Sequence, residues 1–287
     1  MHAVSQEHYE NFPVASWLCP PHLRGTVMAI YGFARTADDI ADEGDALPPQ
    51  RMAQLQDFQR ALHGCARGEA NDSAWPQIFA PLGQALRTHR LPLPLLDDLL
   101  GAFMQDVVKS DYADRSELLD YCRRSASPVG RLLLHLYGVD DALSLRRSDA
   151  ICSALQLINF WQDLSVDGPR GRLYAPLADL QRHGLTPQQV LQCQDSPAAR
   201  ALIRDLCTWA RTLMLEGAPL VHRVPGRAGW ELRLVVQGGL RILERIERMQ
   251  YDTLQHRPVI KAPDVAVMIW RAFVMRPAPT DTQVPAA

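Results

Sequence analysis

The chain has 287 residues, 47% apolar and 22% charged, and its 30 basic and 32 acidic residues leave a formal charge of −2. This composition argues against a disordered, collagen-like or disulfide-stapled chain, and the charge balance gives no reason to expect nucleic acid as a partner. The length allows either two domains or one large core.

The six cysteines (Cys19, Cys65, Cys122, Cys152, Cys193, Cys207) are scattered, with no C-x-x-C pair and no His at zinc-ligand spacing. They read as small buried thiols in a reducing compartment, without disulfides or zinc. The start, MHAVSQEHYENFP, lacks the basic and apolar runs of a signal peptide. No uncharged apolar run reaches the roughly 18 to 20 residues of a membrane span. The expected location is the cytoplasm. The apolar run from Val265 to Met275 has two readings, a buried terminal helix or a face resting on the inner membrane as a peripheral contact.

In chain order, helical periodicity predicts helices over 21–44, 50–67, 77–90, 93–109, 115–138 with a break at Pro128, 148–166, 187–193, 197–222, 227–255 and 263–276. Alternating β-branched runs are almost absent, so the fold class is all-α. Pro20-Pro21, Pro48-Pro49, Pro92, Pro169 and Pro225-Gly226 fall between the segments, where proline starts or stops helices cheaply. With no linker and no repeat, residues 1–287 form a single domain, ending in a flexible tail over 277–287. Trp75, Trp209, Trp230 and Trp270 are assigned to the core, and Asp140-Asp141 is expected to cap the following helix.

Two acidic stripes carry the chemistry. Tyr31, Arg35, Asp38 and Asp42 step by four, three and four, which puts them on one face of a helix. Like charges at that spacing repel, and a divalent cation between them would reverse the cost. Oxygen-only ligands suit Mg²⁺, which binds through one or two carboxylates together with substrate phosphates. The alternative is a solvated acidic helix end. In the second stripe Gln156, Asn159, Asp163 and Asp167 step by three, four and four along an otherwise apolar segment. Carboxylates there need partners, because an uncompensated buried charge is strongly disfavoured. A surface stripe ended by Gly168-Pro169 is the other reading. Two such stripes facing one another could hold several Mg²⁺ ions around a diphosphate, with apolar walls keeping water from the carbocation left behind.

Tyr-x-x-x-Arg-x-x-Asp-Asp-x-x-Asp at Tyr31, followed by Gln-x-x-Asn-x-x-x-Asp-x-x-x-Asp at Gln156, resembles the squalene/phytoene synthase family. Tyr121-Cys-Arg-Arg-Ser-Ala-Ser-Pro-Val-Gly130 and Gly171-Arg172-Leu-Tyr174-Ala-Pro176 resemble two further motifs of that family. The resemblance implies an isoprenoid-synthase helical bundle with a central cavity, several Mg²⁺ ions and a prenyl diphosphate substrate. Asp38, Asp42, Asn159, Asp163 and Asp167 match its metal ligands. Tyr31, Arg35 and Tyr121 match residues lining its ionisation site, and Arg35, Gln156, Arg172, Tyr174 and Arg257 are the matching substrate contacts. Three departures concern the hydrocarbon and diphosphate surroundings. Glu10-Asn11-Phe12-Pro13-Val-Ala-Ser16-Trp17 replaces a Ser-x-Ser-Phe signature, Gln162 stands for an Arg, and Leu240 for a Tyr.

The combined motifs most resemble the hopanoid-associated bacterial branch, the hydroxysqualene synthases. By that resemblance the enzyme ionises presqualene diphosphate and captures water to give hydroxysqualene, without nicotinamide, and works beside a second synthase of the family. The closest rival is head-to-head condensation of two farnesyl or geranylgeranyl diphosphates to presqualene diphosphate, squalene or phytoene. A non-catalytic helical scaffold is the second rival.

Overall fold

The computed structural model describes residues 19–69 and 74–276. The segment Glu10–Trp17 and the expected tail 277–287 therefore lie outside the described residues. Helices follow one another as α1 (Arg24–Asp42), α2 (Pro48–Arg67), α3 (Pro76–His89), α4 (Leu93–Asp106), α5 (Arg115–Ser125), α6 (Ser127–Leu136), α7 (Ala142–Gln162), α8 (Leu164–Asp167), α9 (Leu177–Arg182), α10 (Pro187–Leu191), α11 (Pro197–Gly217), α12 (Gly226–Arg248) and α13 (Ala262–Val274). No strand occurs among the described residues.

Local chemistry sets the ends. The expected break near Pro128 falls at Ala126, and Pro128 sits in the first turn of α6, where its missing N–H costs nothing. α7 begins six residues before the periodicity placed it, because Asp141 caps it by accepting the Ser144 N–H at 3.0 Å. α12 stops at Arg248 rather than near 255, since Gln250 and Tyr251 turn into left-handed backbone with φ of 54° and 62°. The short α9 lies where no helix was expected.

The side chains pack as two cores. One gathers α1 to α4 with Leu132 of α6, around Phe33, Phe58 and Phe79. The other surrounds α7 and takes in α5, α11 and α12. α7 is buried nearly all round, and three neighbours reach it through glycine. A Cβ on Gly130 of α6 would strike Ser148 and Cys152, one on Gly217 of α11 would strike Ile151 and the Arg147 carbonyl, and one on Gly239 of α12 would meet Met214, Ile158 and Leu155. Such close approach leaves α7 little freedom to shift.

Two core assignments fail. Trp270 is 67% exposed and Trp230 38%. The charged residues of α13, Asp264 and Arg271, lie seven apart on one side, and ion pairs to Arg241, Arg245 and Glu244 draw that side inward, the reverse of what a polar stripe suggests. It turns Asp264 and Ala272 inward and leaves Val265, Ile269, Trp270, Phe273 and Val274 open to solvent. The buried-helix reading of this segment is thereby corrected.

Candidate active site

Both acidic stripes come out as spaced. On α1, Phe33, Ala37 and Ala41 enter the core, and Tyr31, Arg35, Asp38 and Asp42 share a half-buried side. Arg35 donates to Asp38 at 2.9 Å and to Glu43 at 2.6 Å. Along α7, every residue from Ile151 to Gln162 is buried except Gln156 and Asn159. The helix breaks at Asp163 (φ −102°, ψ 12°), and Asp167 closes the short α8, its N–H bonded to the Asp163 carbonyl at 2.9 Å. Gln156 and Asn159 are thus the open positions of this buried stretch.

Arg172 ties the two stripes together. The chain turns back at Gly171, whose φ of 78° suits glycine. Arg172 then spans to α1, its Nη1 donating to Asp42 at 2.9 Å and its Nη2 to the other carboxylate oxygen. The Arg172 charge acts on Asp38, Asp106 and Asp167, and so does that of Asp42. These carboxyls therefore occupy one electrostatic neighbourhood. Asp163 is paired in turn with Arg257, which arrives from the loop after α12. Gln162 explains that placement: buried itself, it donates from Nε2 to the Pro258 carbonyl at 2.7 Å, while Ser165 N–H holds the Thr253 carbonyl at 3.1 Å. At this position, which the sequence marked as a departure, the side chain anchors the loop that carries Arg257.

Burial together with neighbouring negative charge raises three of the acids. Asp38 is pushed up to about 6 by burial and by Asp42, Asp167 to about 6 by burial and by Asp163, and Asp106 to about 7 by burial, with Asp42 adding to it. Ionising them in the folded chain is costly, so their contribution to stability is full below about pH 4 and is lost as pH rises through 6 to 7. Magnesium would favour the ionised forms. Without metal, the melting temperature is expected to fall between pH 5 and pH 8, and Mg²⁺ with inorganic pyrophosphate to raise it more at pH 8 than at pH 5. Thermal melts across that range check this, and a metal effect equal at both ends would contradict it.

Aromatic rings adjoin the acids. Phe160, beside Asn159, stacks on Tyr174 at 3.7 Å with planes 6° apart, and Tyr121 lies 6.3 Å from Phe160 and 5.4 Å from Tyr112. Tyr121 is 4% exposed and its hydroxyl donates to Asp106 at 2.8 Å. Asp106 and Tyr112 were not singled out from sequence. A signal for Asp106 existed: Leu96, Leu99, Phe103 and Asp106 continue one stripe, three of whose four members are apolar and face the core.

Among the described residues no three His, Cys, Asp or Glu side chains close a metal cluster by themselves. The chemistry of the donors nevertheless suits Mg²⁺: Asp38 with Asp42 and Asp163 with Asp167 are oxygen-only pairs whose members act on one another, and Mg²⁺ takes one or two carboxylates with phosphate oxygens and water as its other ligands.

An all-α domain with two acidic helices tied together beside an aromatic wall is that of an isoprenoid synthase. The chain belongs to the squalene/phytoene synthase family, whose profile matches residues 5–264, and members of this family process prenyl diphosphates. It is 34% identical over 266 residues to a hydroxysqualene synthase of Rhodopseudomonas palustris, covering 92% of this chain and 88% of that one. It is 41% identical over 208 residues to a hydroxysqualene synthase of Zymomonas mobilis, covering 71% and 67%. The crystal structure of squalene synthase HpnC from Alicyclobacillus acidocaldarius superposes with a TM-score of 0.77 at 37% identity, covering 85% of this chain and 90% of that one.

Proposed function

We propose that this chain converts presqualene diphosphate and water to hydroxysqualene and diphosphate. The observation that carries the reading is the convergence of Asp38, Asp42 and Asp167 on Arg172, next to the Phe160–Tyr174 stack. Likeness to proteins named hydroxysqualene synthase favours this product over others of the family.

Asp38, Asp42, Asn159, Asp163 and Asp167 would hold Mg²⁺, which when bound neutralises the charge that collects on the leaving diphosphate. Arg35, Arg172 and Arg257 add fixed positive charge on the same side. Arg172 and Arg257 each hold a carboxylate; turned to phosphate, these guanidiniums would bind the diphosphate and leave Asp42 and Asp163 available as ligands for Mg²⁺. The bond from carbon to diphosphate oxygen breaks with its electron pair on oxygen. Tyr121, Phe160 and Tyr174 line the cation with ring faces and exclude bulk water. Water then forms the new carbon–oxygen bond and sheds a proton.

Incubation of purified protein with presqualene diphosphate and with farnesyl diphosphate, each with Mg²⁺ in ¹⁸O-water, tests the reading. Labelled C30 alcohol from presqualene diphosphate is expected. Presqualene diphosphate, squalene or phytoene formed from farnesyl or geranylgeranyl diphosphate would establish the condensing reaction instead, which the name of the Alicyclobacillus relative favours. No diphosphate release from any of them would leave a helical scaffold.

The open side of α13 fits an anionic lipid surface. Its apolar face is bracketed by exposed Lys261 and Arg276, and the nearby acids Asp264 and Glu244 turn inward to Arg241, Arg245 and Arg271. No described helix is long and apolar enough to cross a membrane. A Trp270→Ser, Phe273→Ser variant is expected to lose on the order of tenfold or more of its binding to phosphatidylglycerol vesicles in sedimentation, each large apolar side chain being worth ~1.5–3 kcal/mol when fully covered. Unchanged binding, or a self-association abolished by the same variant, would overturn this docking mode.

A further inference from the structure

Asp106 stands where the two halves of the proposed chemistry meet. On one side it feels Asp38, Asp42 and Arg172, the groups assigned to the leaving diphosphate. On the other its Oδ2 accepts the Tyr121 hydroxyl at 2.8 Å, and Tyr121 belongs to the ring cluster of Tyr112, Phe160 and Tyr174. A phenol has one proton to give. Burial drives the Tyr121 hydroxyl well above its usual range, so it keeps that proton throughout. With the proton committed to Asp106, the oxygen can offer only its lone pairs to anything else, and Tyr121 becomes a hydrogen-bond acceptor. A water molecule attacking a cation needs such a partner: its lone pair must face carbon while its hydrogens are held from behind.

We infer that Asp106 is a positioning residue: by fixing the Tyr121 hydroxyl as an acceptor it orients the water that captures the cation, and so sets how much of the cation ends as alcohol. This inference rests on the reaction proposed above. In the step it governs, water oxygen forms a bond to the cationic carbon and water sheds one proton to the departed diphosphate, a base that ionisation itself supplies. In the competing step a carbon next to the cation loses its proton to the same base and a carbon–carbon double bond forms. Water capture needs a held water and elimination does not. Freed from Asp106, the Tyr121 hydroxyl can turn its proton to another acceptor, and the water it would hold is lost.

The test is the ratio of alcohol to hydrocarbon formed from presqualene diphosphate by the parent, Asp106→Asn, Asp106→Glu, Tyr121→Phe and the double variant Asp106→Asn, Tyr121→Phe. This ratio does not depend on how fast ionisation runs, and a merely structural defect would slow both products alike. Asp106→Asn is expected to lower it about fivefold, because the amide oxygen accepts only a neutral hydrogen bond and its NH₂ competes as a donor to the Tyr121 oxygen. Asp106→Glu should recover part of it, and the double variant should be no worse than Tyr121→Phe alone. A parental ratio in Asp106→Asn, or a double variant showing the product of the two single effects, overturns the inference. If Asp106→Asn does not fold, as judged by its thermal midpoint, the ratio in Asp106→Glu decides: any ratio below that of the parent supports the inference, and a parental one refutes it. A parent that forms no alcohol at all from presqualene diphosphate overturns the proposed reaction itself, a result distinct from an alcohol-forming parent with an unaltered variant.

Discussion

Asp163→Asn is expected to cut turnover of a prenyl diphosphate at least about a hundredfold, equivalent to ~2.7 kcal/mol of barrier, while the protein still folds. The two effects separate because of where the side chain stands. Asp163 sits at the break between α7 and α8, 25% exposed, and it pairs with Arg257, itself 27% exposed. Partly solvated pairs of this kind contribute little to stability. In the proposed reaction, however, the carboxylate faces the place where diphosphate charge grows, and an amide there offers no counter-charge to the metal. Asp42→Asn should behave alike, and its thermal midpoint should also stay close to that of the parent, since Arg172 can turn outward. The measurement is Mg²⁺-dependent diphosphate release beside a circular-dichroism melt. Full turnover by both variants would remove the metal assignment.

The largest effect on folding is expected at Gly217. A Cβ there would lie 2.6 Å from the Arg147 carbonyl oxygen and 3.0 Å from the Ile151 nitrogen, both backbone atoms of α7. Backbone cannot yield by rotating a side chain, so α11 must move off α7. Gly217→Val should therefore cost about 3 kcal/mol, the upper part of the range for overpacking, and lower the melting temperature by roughly 6–12 °C. Gly101 in α4 makes the contrast, because an added Cβ meets nothing within 4 Å. Gly101→Ala should stabilise by up to ~1 kcal/mol through helix propensity alone. Thermal melts of the two variants decide between a packing origin and a general sensitivity to glycine replacement, which would move both in the same direction.

Much of this site was legible because helix geometry turns spacing into direction. Steps of three and four place Asp38 with Asp42, and Asn159 with Asp163, on single faces from the sequence alone. The apolar positions flanking Asn159 also announced a buried helix. Asp106 escaped because it has no acidic partner at helical spacing; its meaning comes from Tyr121, fifteen residues away on another helix. The pairing of Arg172 with Asp42 spans 130 residues, which no local pattern encodes. Helix α13 failed for the opposite reason: its charged side, Asp264 and Arg271, is the one that ion pairs pull inward, so its outward tryptophan looked like core. Gln162 was recognised as a departure, but its bond to the Pro258 carbonyl depends on a loop after Arg248 whose first residues, to 255, periodicity assigns to helix.

The two cores place the proposed reaction centre on a seam. Asp38 and Asp42 belong to the helix of one core, Asn159 and Asp163 to that of the other, with the ion pair of Asp42 and Arg172 between them. α4 and α6 contribute to both interiors, Ala102 and Leu134 to one, Leu99 and Leu132 to the other, so apolar packing pins the two sides together. The framework that aims the carboxylates is therefore shared, and loosening either interior would misalign both acidic stripes at once.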